Sequence, residues 1–155
     1  MSSTTIGKPA PAFQAESTFG LISLARCEGR GVILYFYPKD NTPGCTTETQ
    51  DFRDAHEAFL AIGCVVIGVS RDSLKSHQNF SAKLELPFPL IADTDEVVCQ
   101  SYGVIKQKKM YGKEVRGIER STFLINAQGK LVQEWRGVKV PGHANEVLQS
   151  AKSLA

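Results

Sequence analysis

Two arrangements of cysteine are missing from this 155-residue chain: Cys27, Cys45, Cys64 and Cys99 contain neither a CxxC pair nor zinc-ligand spacing. Their absence argues against a dithiol exchange motif and a closed structural zinc site, and no metal or organic cofactor is expected. Long apolar runs are also lacking. None approaches the ~20 residues of a membrane-spanning helix, and the opening MSSTTIGKPAPAF has no apolar signal-peptide core. A cytoplasmic setting follows as the expectation, where thiols stay reduced and free or catalytic cysteines outnumber structural disulfides. Charge of one sign is scarce too, since a net +2 is too little to imply nucleic acid or a membrane surface. No internal repeat or low-complexity tract interrupts the sequence. What remains is ordinary for a globular protein, with 42% hydrophobic and 22% charged residues. The length fits a single domain over residues 1–155 with a substantial core.

The chain is organised around PKDNTPGCTTE, Pro38 to Glu48. Before it runs VILYFY (Val32–Tyr37), apolar, β-branched and aromatic, as in a strand buried on both faces. Pro38 ends that strand because proline cannot donate to a ladder. Asn41, Thr42, Pro43 and Gly44 are turn and helix-start residues. An amphipathic helix follows, with Phe52, Ala55 and Phe59 spaced by three and four and Cys45 leading Phe52 by seven, on the inward face. A thiol thus occupies the first turn of a helix directly after a central strand. Helix N-termini stabilise thiolates through unpaired N–H groups and the positive dipole end, lowering a thiol pKa from ~8.5 to roughly 3.5–7.5. Cys45 could instead be a small apolar filler, but core packing has no need of Thr42, Pro43 and Gly44 together, so the context favours a reactive thiol.

The remaining elements follow in order. An extended arm covers residues 1–12, a short hairpin Phe13–Cys27, and the helix that starts near Cys45 closes at Gly63. Cys64–Ser70 is a second buried strand, Ser73–Leu84 a helix, LPFPLIAD a short strand, and Asp95–Tyr102 a short helix. Residues 106–117 (KQKKMYGKEVRG) form a charged loop or loose hairpin. STFLI and LVQEWR are strands joined by a turn, and Ala144–Leu154 is a final helix. This order predicts an α/β fold whose mixed sheet, covered by helices on both faces, is thioredoxin-like. Functional groups in such sheets gather at the carboxyl ends of the strands, where Cys45 falls.

TPGC resembles a CxxC motif with Thr42 in place of the first cysteine. A hydroxyl cannot form a disulfide, but it can exchange hydrogen bonds with a small polar electrophile. PKDNTPGCTTE, the downstream GIERSTFLI and the element order resemble the peroxiredoxins across essentially the whole chain, in the subgroup called bacterioferritin comigratory protein or peroxiredoxin Q. The resemblance implies a thiol-dependent peroxidase that reduces hydrogen peroxide and organic hydroperoxides through a sulfenic acid at Cys45. It makes Cys45 the peroxidatic residue, with Thr42 bonding the peroxide oxygens and Arg120 facing the thiolate and the departing oxygen. Pro38 would shield the pocket, Gly44 would lie beside the substrate, and Glu48 would orient Arg120. The physics agrees, because a fixed cation with aimed donors stabilises charge developing on the leaving oxygen. Plainer readings stand beside these: Thr42 as helix N-cap, Glu48 as a dipole partner, and Arg53 or Arg116 as competitors of Arg120.

A sulfenic acid needs a second thiol. Relatives place a resolving cysteine five residues after the first, here Gln50, or at the position held here by Ser81 in SHQNFSAK. Neither carries sulfur. Cys64 and Cys99 read as core, and Cys27 sits at a loop edge with nothing to place it near Cys45. Either thioredoxin, glutaredoxin or glutathione reduces the enzyme directly, or Ser81 replaces a resolving cysteine; the text around it leans slightly towards the replacement. A monomer is expected from the subgroup. Two other classes are weighed: a Cys–His hydrolase using His56, His77 or His143, and a thioredoxin-fold binding module without turnover.

Overall fold

The computed structural model describes residues 4–154; of the arm expected over residues 1–12, the first three lie outside the described residues. Strands β1 (Gln14–Ser17) and β2 (Gly20–Ser23) form the early hairpin, and a single 3-10 turn (Ala25–Cys27) leads to β3 (Gly31–Phe36). Then come α1 (Pro43–Ala61), β4 (Cys64–Ser70), α2 (Leu74–Leu84), β5 (Leu90–Ala92) and α3 (Val97–Ser101). A hairpin of β6 (Ile105–Met110) and β7 (Lys113–Ile118) precedes β8 (Ser121–Ile125), β9 (Leu131–Arg136) and α4 (His143–Lys152).

Seven strands make one sheet in the order β2-β1-β5-β4-β3-β8-β9. β3, β4 and β5 run parallel, as crossovers through α1 and α2 require, while β8 returns antiparallel to pair with β3 from Val32–Ile125 to Phe36–Ser121, and β9 in turn pairs antiparallel with β8. Both faces of β3 are buried. Ile33 and Tyr35 face α1, α2 and α4, packing with Phe52, Phe59, Phe80 and Val147. Val32, Leu34 and Phe36 face the N-terminal arm and α3, packing with Phe13, Val98 and Tyr102. The strand therefore reads as a continuous apolar run rather than an alternating one. Tyr35 stacks on Phe52 at 4.6 Å between ring centroids and donates its hydroxyl to Thr49 Oγ1 at 3.0 Å, so the strand holds two successive turns of α1.

The charged stretch 106–117 is more regular than its sequence indicates. β6 and β7 pair from Ile105–Ile118 to Met110–Lys113, closing in a two-residue loop with positive φ at Tyr111 (52°) and Gly112 (76°). Such turns favour Asn-Gly, and tyrosine at the first position hides the signal. At the hairpin's base Arg116 pairs with Glu96, which also accepts from Arg71 at 2.9 Å. No helix among the described residues is long and apolar enough to cross a membrane.

Candidate active site

Helix α1 begins with Pro43 at its first position, where the missing N–H costs nothing and the fixed φ is already helical. Thr42 takes the N-cap position with extended backbone (φ −91°, ψ 150°), yet its hydroxyl does not cap the helix. It turns back and donates to the Lys39 carbonyl at 2.8 Å, tightening the loop that precedes the helix. Cys45, two residues into the helix, is 1% exposed, with its side chain in the core beside Phe52 and Tyr35. One turn further, Glu48 is also 1% exposed.

Arg120 joins these two residues. It stands between β7 and β8, one residue before Ser121, which pairs with Phe36 at the carboxyl end of β3. The sheet register thus delivers it to the start of α1. Its Nη2 donates to Cys45 Sγ at 3.3 Å and its Nη1 to Glu48 Oε1 at 2.6 Å. One planar guanidinium therefore spans both acidic groups, a geometry the fork of arginine permits and lysine does not. Gly44 makes the approach possible: a Cβ there would lie 3.3 Å from Arg120 Nη2. The Arg120 side chain keeps 16% of its surface open, so the site is reachable from solvent along the guanidinium.

Burial dominates the electrostatics of the pair. Glu48 is pushed up to about 7 by loss of solvent, with Arg120 pulling it down only in part; its Oε2 is buried and unpartnered. Arg120 is held more firmly protonated, because Glu48 and Cys45 outweigh the opposing effect of its burial.

Pro38 is exposed on the loop after β3, and Ser81 lies half-buried on α2. Arg53 pairs with Asp54 and donates to the Leu84 carbonyl, so of the three arginines weighed, only Arg120 bonds the thiol. Cys64 is packed in β4, its sulfur 2.6 Å from where a Cβ on Gly31 would sit, and burial raises its pKa. Cys99 is fully buried, and burial together with Asp93 pushes its thiol far up. Cys27 lines a cavity with Val32, Ile125 and Gln128 at the amino end of β3, opposite the end occupied by Cys45. None of the histidines bonds Cys45. His143 meets Thr122 Oγ1 at 2.7 Å and is lowered to about 4, mainly by burial. His56 lies beside Phe88, and His77 pairs with Asp40 at 2.8 Å. The sequence did not single out Asp40, although it sits inside PKDNTPGCTTE; the only available signal was a carboxylate flanked by turn residues.

The profile of the AhpC/TSA family matches residues 6–134. The chain belongs to the AhpC/TSA family. Within it, the chain is 55% identical to Peroxiredoxin Bcp of Xanthomonas campestris pv. campestris over 127 residues, 82% of this chain and 79% of the relative. It is 48% identical to Peroxiredoxin Bcp of Bacillus subtilis over 151 residues, covering 97% and 96%. The solved structure of Xanthomonas campestris Peroxiredoxin Q superposes with a TM-score of 0.90 at 48% identity, covering 97% of each chain. A trapped intermediate/ligand complex of the bacterioferritin comigratory protein from the same species gives 0.90 at 47%, covering 97% and 98%. The chain is therefore a thiol peroxidase of the Bcp/peroxiredoxin Q group, and its sheet is that of the thioredoxin-like fold.

Proposed function

We propose that Cys45 is the peroxidatic residue and that Arg120, Glu48, Gly44, Thr42 and Pro38 build its pocket. The observation that carries the proposal is the single guanidinium bonded to both Cys45 Sγ and Glu48 Oε1. The Cys45 thiolate attacks one peroxide oxygen, the O–O bond breaks, and the departing hydroxide or alkoxide takes a proton, leaving a sulfenic acid. Arg120 stabilises the charge that moves onto the leaving oxygen, in a pocket too dry to screen it. Glu48 holds the guanidinium in plane, Gly44 leaves it room, the Thr42 hydroxyl bonds the peroxide oxygens, and Pro38 flanks the entrance. Organic hydroperoxides are substrates alongside hydrogen peroxide, a reading supported by the alkyl peroxide reduction ascribed to the Xanthomonas campestris protein.

The sulfenic acid is reduced by an external thiol, from thioredoxin, glutaredoxin or glutathione, and Ser81 marks the place of a resolving thiol. The chain works as one domain over residues 1–155, as a monomer in the cytoplasm. One equivalent of hydrogen peroxide followed by peptide mass spectrometry tests the assignment: a gain of one oxygen on Cys45, and no turnover by Cys45→Ser with a thiol donor, are expected. Turnover retained by Cys45→Ser would end it.

A further inference from the structure

The hairpin β6–β7 contributes no side chain to the Cys45–Arg120–Glu48 cluster, yet it carries most of the protein's positive charge imbalance. Residues 105–118 hold five lysines and arginines against Glu114 alone, a net of +4 in a chain whose total is +2. The two strands pair only with each other and stand apart from the seven-stranded sheet. Their base is fixed: Ile105 and Ile118 pack on the core, the Glu119 N–H donates to the Val104 carbonyl at 2.7 Å, and Arg116 pairs with Glu96. Beyond the base, every described side chain from 106 to 116 is exposed. Six residues per strand at ~3.4 Å each give a ribbon about 20 Å long.

The tip is unusual in its chemistry. Tyr111 is 100% exposed and holds a φ of 52°, a left-handed conformation that costs a side-chain-bearing residue energy. Val115 is 43% exposed on the same ribbon. Lysines on a ribbon also keep its edges from pairing with other strands, but that task needs no bare aromatic at the turn. Tyrosine is a residue that protein interfaces enrich, and a ring of lysines around it supplies long-range attraction.

The ribbon's position says what it serves. It ends two residues before Arg120. Cys45 is 1% exposed while the Arg120 side chain keeps 16% of its surface open, so approach to the sulfur runs along the guanidinium, at the ribbon's foot. Two exposed lysines on neighbouring loops add the same sign. Lys39 stands three residues before Thr42, and Lys139 follows Val138, whose N–H donates to the Arg120 carbonyl at 3.0 Å. Hydrogen peroxide is neutral and gains nothing from this field; an anionic partner does.

We propose that β6–β7 is the docking ribbon for the reductant, and that this reductant is a small dithiol protein with an acidic contact surface. Lys106, Lys109 and Lys113 steer it, Tyr111 and Val115 anchor it, and its thiol meets Cys45 beside Arg120. The first thiol attacks the sulfenic sulfur: an S–S bond forms, the S–O bond breaks, and the hydroxyl leaves as water with the thiol's proton. The second thiol then displaces the Cys45 sulfur, which takes its proton, and the partner departs as a disulfide carrying away the two electrons' worth of oxidation. A small, transient contact of this kind suits redox encounters, which lie at the low end of interface sizes. The inference rests on Cys45 being the peroxidatic residue and selects thioredoxin-class proteins over glutathione.

The test compares two reductants, an acidic thioredoxin and uncharged dithiothreitol, at low ionic strength and in about 0.5 M salt. With the thioredoxin, the double variant Lys106→Glu, Lys113→Glu should turn over about tenfold more slowly at low ionic strength, as steering changes association rates by roughly 10- to 1000-fold. In salt that loss should shrink to about twofold. The matching Lys→Gln pair should fall between, and Tyr111→Ala should lose about fivefold at both salt levels. Oxidation of Cys45 by hydrogen peroxide and turnover with dithiothreitol should stay within twofold throughout. Unchanged thioredoxin turnover in the Glu pair, or an equal loss with dithiothreitol, would overturn the proposal. So would a single-stranded oligonucleotide that binds the unaltered protein more tightly than thioredoxin does and is lost in the same variants. Oxidised protein that dithiothreitol reduces and thioredoxin does not would refute it too, while oxygen gained on Cys45 reports separately on the peroxidatic assignment.

Discussion

Glu48 offers a prediction whose sign and size both come from its surroundings. The residue is 1% exposed and lifted from 4.5 to about 7 by burial, in spite of Arg120. The folded protein therefore holds this proton more tightly than the unfolded chain does. A raised carboxylate contributes no penalty well below 4.5; stability falls as pH rises from 4.5 through 7, because the unfolded chain ionises first. The full span is 2.5 pH units, about 3 kcal/mol at ~1.4 kcal/mol per unit, and most of it falls between pH 5 and pH 8. Glu48→Gln keeps the shape and an acceptor for Arg120 but cannot titrate. Urea unfolding of both proteins at pH 5 and pH 8 should show the variant gaining about 2–3 kcal/mol on the unaltered protein over that interval. His143 acts in the opposite direction: with its pKa lowered to about 4, it costs stability as pH falls from 6.5 towards 4. That contribution is common to both proteins and cancels in the comparison. A stability difference that stays constant from pH 5 to pH 8, or moves against the variant as pH rises, would refute the account of Glu48.

Arg120→Met removes the cation 3.3 Å from the sulfur and leaves Glu48 Oε1 without its donor. Second-order oxidation by hydrogen peroxide should fall about 100- to 1000-fold, and a rate within threefold of the unaltered protein would take Arg120 out of the mechanism. Gly44→Ala places a methyl group 3.3 Å from Nη2, so the guanidinium must give way by a few tenths of an ångström; a roughly tenfold slower oxidation with little change in thermal stability is expected. Cys64→Ser and Cys99→Ser should leave Cys45 oxidation unchanged, and Cys64→Ser should lower stability by about 1–2 kcal/mol, since it puts a hydroxyl into apolar packing; loss of peroxidase rate in either would give it a role beyond packing. Ser81→Cys tests the resolving position directly: non-reducing peptide mapping after peroxide should reveal a bond between positions 45 and 81, and its absence would remove Ser81 from that role.

Much of this was readable along the chain because it depends on local chemistry. VILYFY had to be a strand covered on both faces, as an amphipathic element could not carry so unbroken an apolar run. Pro43 and Gly44 could only open a helix, and they put Cys45 in its first turn. The hairpin at 105–118 was less legible, since Tyr111 occupies a position where asparagine would have announced the turn. The Thr42 hydroxyl was legible as a helix cap or as a partner for the peroxide oxygens; that it bonds Lys39 follows from the path of the loop.

Sequence alone determined which groups could react: one sulfur in the first turn of a helix, a turn built to present it, and a chain without a second thiol at the expected spacings. Tertiary structure decided what that sulfur meets. The antiparallel return of β8 against β3 brings Arg120 across 75 residues to Cys45, and the packing of α2 closes His77 onto Asp40 across 37. The first was reached along the chain only through the resemblance carried by GIERSTFLI, and the second left no local signature, because a long-range contact is set by register and packing rather than by the residues that flank it.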